Sequence, residues 1–162
     1  MRQMGDEMAD NVVARKPGDG DAYWVMGGLY EIKAASDETG GGVTVIEMTV
    51  PAGMGPPPHT HPGTEMIYVL EGTVRLHIDD QVVEGGAGSF FYIPQKTWER
   101  FEPLTDVRLL VIYSPGGIDG FFTEVGELAP TREVPPPEHP LPSLKAVTAA
   151  GLRHGLEMRL PD

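Results

Sequence analysis

The sequence has no cysteine among its 162 residues, which excludes disulfides, thiolate metal ligands and thiol nucleophiles. Basic residues are scarce: 12 Lys and Arg stand against 24 Asp and Glu, for a formal charge of −12. A field of that sign repels phosphate backbones, and the only adjacent basic residues are Arg15 and Lys16, so nucleic acid is not an expected partner. No apolar stretch approaches the ~20 residues of a membrane-spanning helix. Met1 to Asn11 carries acids and lacks the apolar segment of a signal peptide. These absences predict a soluble, cytoplasmic protein that does not engage membranes.

Glycine (21) and proline (16) are abundant, and they punctuate short runs rich in branched and aromatic residues. Ala22 to Ala34 reads as two short strands or one bulged strand split at Gly27-Gly28. Val43 to Val50, Glu65 to Leu70, Thr73 to Ile78, Gln81 to Glu84, Ser89 to Ile93, Thr97 to Glu102 and Val107 to Ser114 read as further strands. Short strands at regular spacing predict an all-β barrel or sandwich, not a parallel α/β sheet. The chain divides into a flexible N-terminal arm (1–20), a barrel (21–126) and a proline-rich tail (127–162). No helical period appears before residue 120, and Phe121 to Val125 reads as a short apolar patch. Ser143 can cap one short C-terminal helix beginning at Leu144, with Gly155 near its end.

The segment from Gly53 to Gly72 carries the chemistry. His59 and His61 are separated by one residue, so on an extended chain they point to the same side. Glu65 opens the following strand and can meet them. Two imidazoles and a carboxylate suit one divalent ion: iron, manganese, nickel, cobalt or zinc. Pro56, Pro57 and Pro58 stiffen the backbone just ahead of these residues. An isolated His-x-His pair is more often surface polarity than a ligand pair. Here the glutamate at matching spacing argues otherwise. His77 lies on an alternating polar face, His139 in the proline-rich segment and His154 near a helix C-terminus, and none of the three is expected to ligate.

Gly53 to Gly72 resembles the first signature motif of the cupin superfamily at every spacing. Gly88 to Pro94 resembles the start of the second motif, and the chain from about Ala22 onward is similar to bacterial single-domain, quercetinase-like cupins. The resemblance implies a double-stranded β-helix, or jelly-roll barrel, and commonly a homodimer. It also implies an enzyme that takes a small-molecule substrate. The second motif then departs from the pattern: the family has a fourth ligand, histidine, where this chain has Glu99. Glu99 either completes a site of two histidines and two glutamates, whose charges balance a divalent ion, or points to solvent beside Arg100.

Three functions follow from these residues and the resemblance. The first is a metal-dependent dioxygenase acting on an aromatic or enolic substrate, with Glu65 as ligand or general base. The second is a non-redox cyclase, isomerase or decarboxylase of polyketide-like or keto acid metabolites, in which Glu65 or Glu99 moves a proton, with or without a metal. The third is a non-catalytic module that binds a small molecule, because fold alone does not decide function. In each case Trp98, Tyr68, Tyr92, Phe101 and Met54 are the expected pocket wall.

Overall fold

The computed structural model describes residues 12–160. The strands are β1 (Ala22–Val25), β2 (Gly28–Ala34), β3 (Thr44–Val50), β4 (Thr64–Glu71), β5 (Val74–Ile78), β6 (Gln81–Gly85), β7 (Phe90–Ile93), β8 (Glu99–Pro103), β9 (Val107–Ser114) and β10 (Glu127–Leu128). All pairings are antiparallel. They form a seven-stranded sheet, in the order β10-β1-β2-β3-β9-β4-β7, and a three-stranded sheet, in the order β6-β5-β8. The two sheets enclose one core in a jelly-roll barrel.

Period-two alternation sets which side chains face inward. In β3 the buried set is Thr44, Ile46, Met48 and Val50; in β9 it is Val107, Leu109, Val111 and Tyr113. Ile67 and Val69 of β4 meet Leu76 of β5 and Phe101 of β8 across the core. The split between β1 and β2 falls one residue earlier than Gly27-Gly28, at Met26-Gly27, where Gly27 turns the chain at φ +87° and Gly28 already opens β2. Gly72 performs the same service between β4 and β5 at φ +84°, where a Cβ would overlap the Asp106 carbonyl oxygen.

Among the described residues, two α-helices and a single 3-10 turn (Ser36–Glu38) lie outside the strand set. The C-terminal helix is present, but it is the second of the two. The segment expected to be an apolar patch forms α1 (Asp119–Val125), which buries Phe121 and Phe122. This helix is too short to show a helical period of its own, and it exists because two adjacent aromatics find the open end of the barrel. The second helix, α2 (Leu144–Arg153), begins where expected: the Ala146 N–H donates to Ser143 Oγ at 3.1 Å. Val147 and Ala150 are buried, and His154 Nε2 lies 2.7 Å from Glu124 Oε2 on α1.

Beyond α2 the chain returns to the barrel. The Thr60 N–H donates to the Glu157 carbonyl and the Arg159 N–H to the Pro58 carbonyl, both at 2.9 Å. Leu156 to Arg159 thus runs along the segment that carries His59 and His61. Of the arm expected over 1–20, residues 1–11 lie outside the described residues. Arg15 is fastened to Glu38 at 2.8 and 3.0 Å and to the Lys33 carbonyl at 3.0 Å. No helix among the described residues is long and apolar enough to cross a membrane.

Candidate metal centre

Each site residue owes its direction to a different element. Glu65 stands on the inner face of β4 with Ile67 and Val69 because it shares their parity. Glu99 shares the inner face of β8 with Phe101. His59 lies opposite Glu99 in an isolated antiparallel bridge and also pairs with Met158. The proline run ends here: the Pro57 carbonyl accepts from His59 Nδ1 at 2.8 Å, which leaves Nε2 free to face the cavity.

All four side chains are buried: His59 and His61 are each 5 % exposed, Glu65 3 % and Glu99 2 %. His59 Nε2 lies 3.1 Å from Glu99 Oε1, and His61 Nδ1 lies 3.6 Å from the same oxygen. Donor atoms of His59, His61 and Glu99 all fall within 4.8 Å of one another. Ligands ~2.1 Å from a common ion stand roughly 3.0–3.5 Å apart, so these separations suit one ion. Glu65 approaches from the other side, with Oε2 3.4 Å from His61 Nε2. Glu99 therefore points inward rather than to solvent beside Arg100.

Three carboxylate oxygens, Glu65 Oε1 and both of Glu99, are buried without a hydrogen-bond partner. An unpaired buried carboxylate is costly, and a cation held with His59 and His61 is a partner that would satisfy Glu99. The donor set thus fits a divalent ion. Two carboxylates offset its charge, and a nitrogen–oxygen set suits manganese, iron, cobalt, nickel or zinc.

The protonation states follow from the same crowding. Burial pushes Glu65 far above the usual carboxylate range, and the charge of Glu99 adds to the rise. Burial also acts on Glu99, but the charge of His59 and its close approach outweigh it and hold Glu99 below its ordinary value. Burial disfavours the His59 cation, yet the Glu99 charge keeps its pKa above the ordinary value. His61 falls to about 3 through burial and repulsion from His59. In the metal-free protein these surroundings favour a proton on His59 and Glu65 and disfavour one on Glu99 and His61.

The cavity over the site is small, about 20 Å³, room for about one water. Its wall includes Tyr30, Met48, Phe101, Tyr113, Phe122 and Met158. A second cavity of about 150 Å³ lies on the far side of His61 and Tyr113, bounded by Pro115, Gly117 and His154. Of the five side chains expected to wall the pocket, Phe101 is there. Tyr68 and Tyr92 are not: they stand on the outer face of the large sheet, 43 % and 56 % exposed. Trp98 lies beneath the Arg159 guanidinium, 4.0 Å from its ring centre, and Met54 borders a separate groove with Pro135 and Pro136.

Tyr113 is the residue that sequence reasoning missed and could have found. It shares the parity of Leu109 and Val111 on β9, and its ring centre is 5.3 Å from that of His61. Phe122 and Met158 carry no such signal, because only the return of the chain after β9 brings them over the barrel mouth. The other three histidines stay out of the site, with His77 and His154 held by Glu102 and Glu124 at 2.7 Å and His139 paired with Glu127.

An antiparallel jelly roll with inward histidines and glutamates at one end defines a class of small-barrel proteins, and comparison with known proteins agrees. The Cupin_2 family (cupin domain) matches residues 46–113, which contain all four site residues. Residues 46–113 therefore carry a cupin domain, and the fold is that of solved cupins. A solved RmlC-like cupin from Shewanella frigidimarina is similar at TM-score 0.59 and 16 % identity, over 69 % of this chain and 97 % of that one. KdgF from Halomonas sp. is similar at TM-score 0.55 and 18 % identity, over 67 % and 98 %. Oxalate decarboxylase from Bacillus subtilis is similar at TM-score 0.56 and 19 % identity, over 68 % of this chain but 31 % of that one. At these identities the likeness is one of fold. No curated protein sequence matches significantly.

Proposed function

We propose that this chain is a divalent-metal-dependent cupin enzyme acting on a small enolic or aromatic substrate, with a dioxygenase reaction. His59, His61 and Glu99 hold the ion, and Glu65 serves as a further ligand or as the base. The observation that carries this reading is the buried cluster of His59, His61 and Glu99, whose donor atoms lie within 4.8 Å of one another. When bound, the ion supplies Lewis acidity toward a substrate oxygen and, if it is iron, manganese, nickel or cobalt, a redox couple.

The chain's own residues do the rest. Pro57 orients His59 through Nδ1, and the aromatic and methionine wall keeps bulk water from the site. Glu65, once ionised, takes a proton from a substrate hydroxyl, and the hydrophobic setting that raises its proton affinity makes it a stronger base. Cavities of about 20 and 150 Å³ lie below the roughly 300 Å³ of a drug-sized pocket, so a small enol fits better than a multi-ring flavonol.

One observation favours a second reading, a non-redox isomerase, cyclase or decarboxylase. Glu65 and Glu99 face one site, one inclined to hold a proton and the other to lose it, an arrangement that can deliver and accept a proton on one substrate. The test is elemental analysis of untagged protein grown with all five metals, followed by oxygen-electrode assays on small enols, keto acids and flavonols. One redox-active metal per chain and oxygen uptake that His61→Ala abolishes would support the dioxygenase. Turnover without oxygen uptake, lost in Glu65→Gln, would establish the second reading instead. Failure to hold any of the metals after reconstitution would sink the metal-dependent enzyme.

A further inference from the structure

At about 20 Å³ the cavity over the metal site is smaller than any enolic substrate, so the space beside it decides what can bind. The proline-rich segment 134–142 lies against the β1–β2 turn and leaves a groove with two lobes, of about 280 and 450 Å³. Gly27, Pro135, His139 and Leu141 border both lobes. The larger lobe falls within the roughly 300–1,000 Å³ of small-molecule sites, which the barrel cavity does not.

Met26 borders both the metal-site cavity and the smaller lobe, so the wall between them is one residue thick there. Its backbone is unusual. Val25 pairs with Gly28, which leaves Met26 and Gly27 as a two-residue hairpin turn, and both have positive φ, +46° and +87°. Such a turn favours Asn-Gly or Asp-Gly, and a long side chain at its first position is strained. Met26 therefore holds a place that asparagine would fill with less strain, and its side chain is what that strain secures. A methionine has about the cross-section of an alkyl chain and three rotatable bonds, so its swing opens a passage for an unbranched chain and not for a fused ring system.

The polar groups at the border of the groove are already engaged. His139 is paired with Glu127, Trp24 Nε1 donates to the Glu133 carbonyl at 2.8 Å, and Asp106 Oδ1 accepts from the Ala52 N–H at 2.9 Å. Pro51, Met54, Pro135, Pro136 and Leu141 supply the rest of the larger lobe. That lining offers mainly apolar contact, which suits a hydrocarbon part and not a second ionic group.

We propose that this groove holds an unbranched apolar chain of the substrate, whose enolic head sits at the metal site, and that Met26 is the gate between the two. This role for the groove rests on the metal-dependent reading of the barrel site. The head alone then fixes the chemistry, while the groove selects substrates by their chain.

The test uses alkyl hydroxamates, whose paired oxygens bind a divalent ion as an enolic head would, on the manganese- or zinc-loaded full chain. Titration calorimetry compares acetohydroxamate with octanohydroxamate. Each buried methylene tightens binding by up to about fourfold, so the longer probe is expected to bind about 100-fold or more tightly. Leu141→Glu, at a 57 % exposed position bordering both lobes, should lower that ratio by about tenfold or more. Val82→Arg, on exposed β6 in the other sheet, should leave it unchanged. Met26→Ala widens the passage and should raise the affinity for benzohydroxamate by about tenfold or more. In chelator-stripped protein with carbon-13 methionine methyls, octanol alone should shift the Met26 and Met54 signals, and Leu141→Glu should suppress those shifts. Octanol that moves neither signal overturns the proposal, whatever the metal does. A chain-length gain that survives Leu141→Glu places the tail in the cavity beyond His61 and overturns it too. Unchanged benzohydroxamate affinity in Met26→Ala removes the gate. Octanol binding without any hydroxamate binding breaks the link between groove and barrel, and that outcome alone counts against the metal-dependent reading.

Discussion

His59 and Glu99 face each other across an isolated bridge in which each backbone N–H donates to the other's carbonyl at 2.9 Å, while the side chains close to 3.1 Å. The backbone pairing fixes where the two side chains can go. It makes the residue that replaces the family's histidine a neighbour of the first imidazole, not a surface group. Glu99 then adds a negative charge exactly where the family pattern has a neutral ring, so the ion that binds here meets a harder, more anionic donor set.

Removing that charge should weaken metal binding. Glu99→Gln is expected to lower the affinity for manganese or zinc by at least about tenfold, with the fold retained because the amide keeps the shape. Isothermal titration calorimetry on chelator-stripped protein measures it. His61→Ala should abolish uptake. In the wild type, adding metal at about 100 times its dissociation constant should stabilise the fold by ~2.7 kcal/mol, visible as a rise in melting temperature that His61→Ala lacks and that a tenfold weaker Glu99→Gln shows at about half the size. Unchanged affinity in Glu99→Gln would remove Glu99 from the ligand set.

Glu65 should make the metal-free protein less stable at neutral pH. Its folded pKa is raised, so the stability it contributes is present below the unfolded value near 4.5 and is lost as pH rises through the folded value. Glu65→Gln mimics the protonated acid at every pH. In the presence of chelator the variant should therefore exceed the wild type in urea midpoint at pH 8 and match it near pH 4. A variant less stable than the wild type at pH 8 would contradict the buried, uncompensated state of this carboxyl. Metal binding should move the other way, since the amide is a poorer ligand.

Arg159 over Trp98 ties the last described turn of chain to the start of β8. Arg159→Ala should cost about 0.5–1 kcal/mol, the typical worth of a partly exposed cation–π contact. Because the protein has only 2 tryptophans, the change should also be visible in emission, most clearly in a Trp24→Phe background. Unaltered emission and stability would show that Arg159 does not hold the C-terminal segment in place.

Gly72→Ala should be severe for its size. The residue sits at φ +84° and its Cβ would collide with backbone at Asp106, which cannot swing away as a side chain would. A loss of roughly 2 kcal/mol or more is expected by chemical denaturation. Gly18→Ala is the comparison: at the same φ of +84° it meets nothing within 4 Å and should cost less.

Much of the molecule was readable from residue order alone. Alternation and turn residues placed the strands from β1 to β9 to within a residue or two, since period-two burial and Gly/Pro turns act locally. Ser143 announced α2 for the same reason, a cap being a contact three residues long. His59, His61 and Glu65 were legible from their spacing. Parity would also have excluded Tyr68, which lies an odd number of positions from Glu65 and so must face the other way.

Other features were decided only by tertiary structure. Whether Glu99 meets His59 depends on a bridge between segments 40 residues apart, a pairing no local signal encodes. Tyr92 goes outward because β7 pairs with β4 in the register that sets Ile93, not Tyr92, opposite Glu65. The cavity is small because α1 and the Leu156–Arg159 segment close over the barrel mouth, bringing Phe122 and Met158 to the site. Local sequence sets the direction of each side chain within its own element, but only the packing of distant elements determines which of them share a cavity, because that choice is made by burial summed over the whole chain.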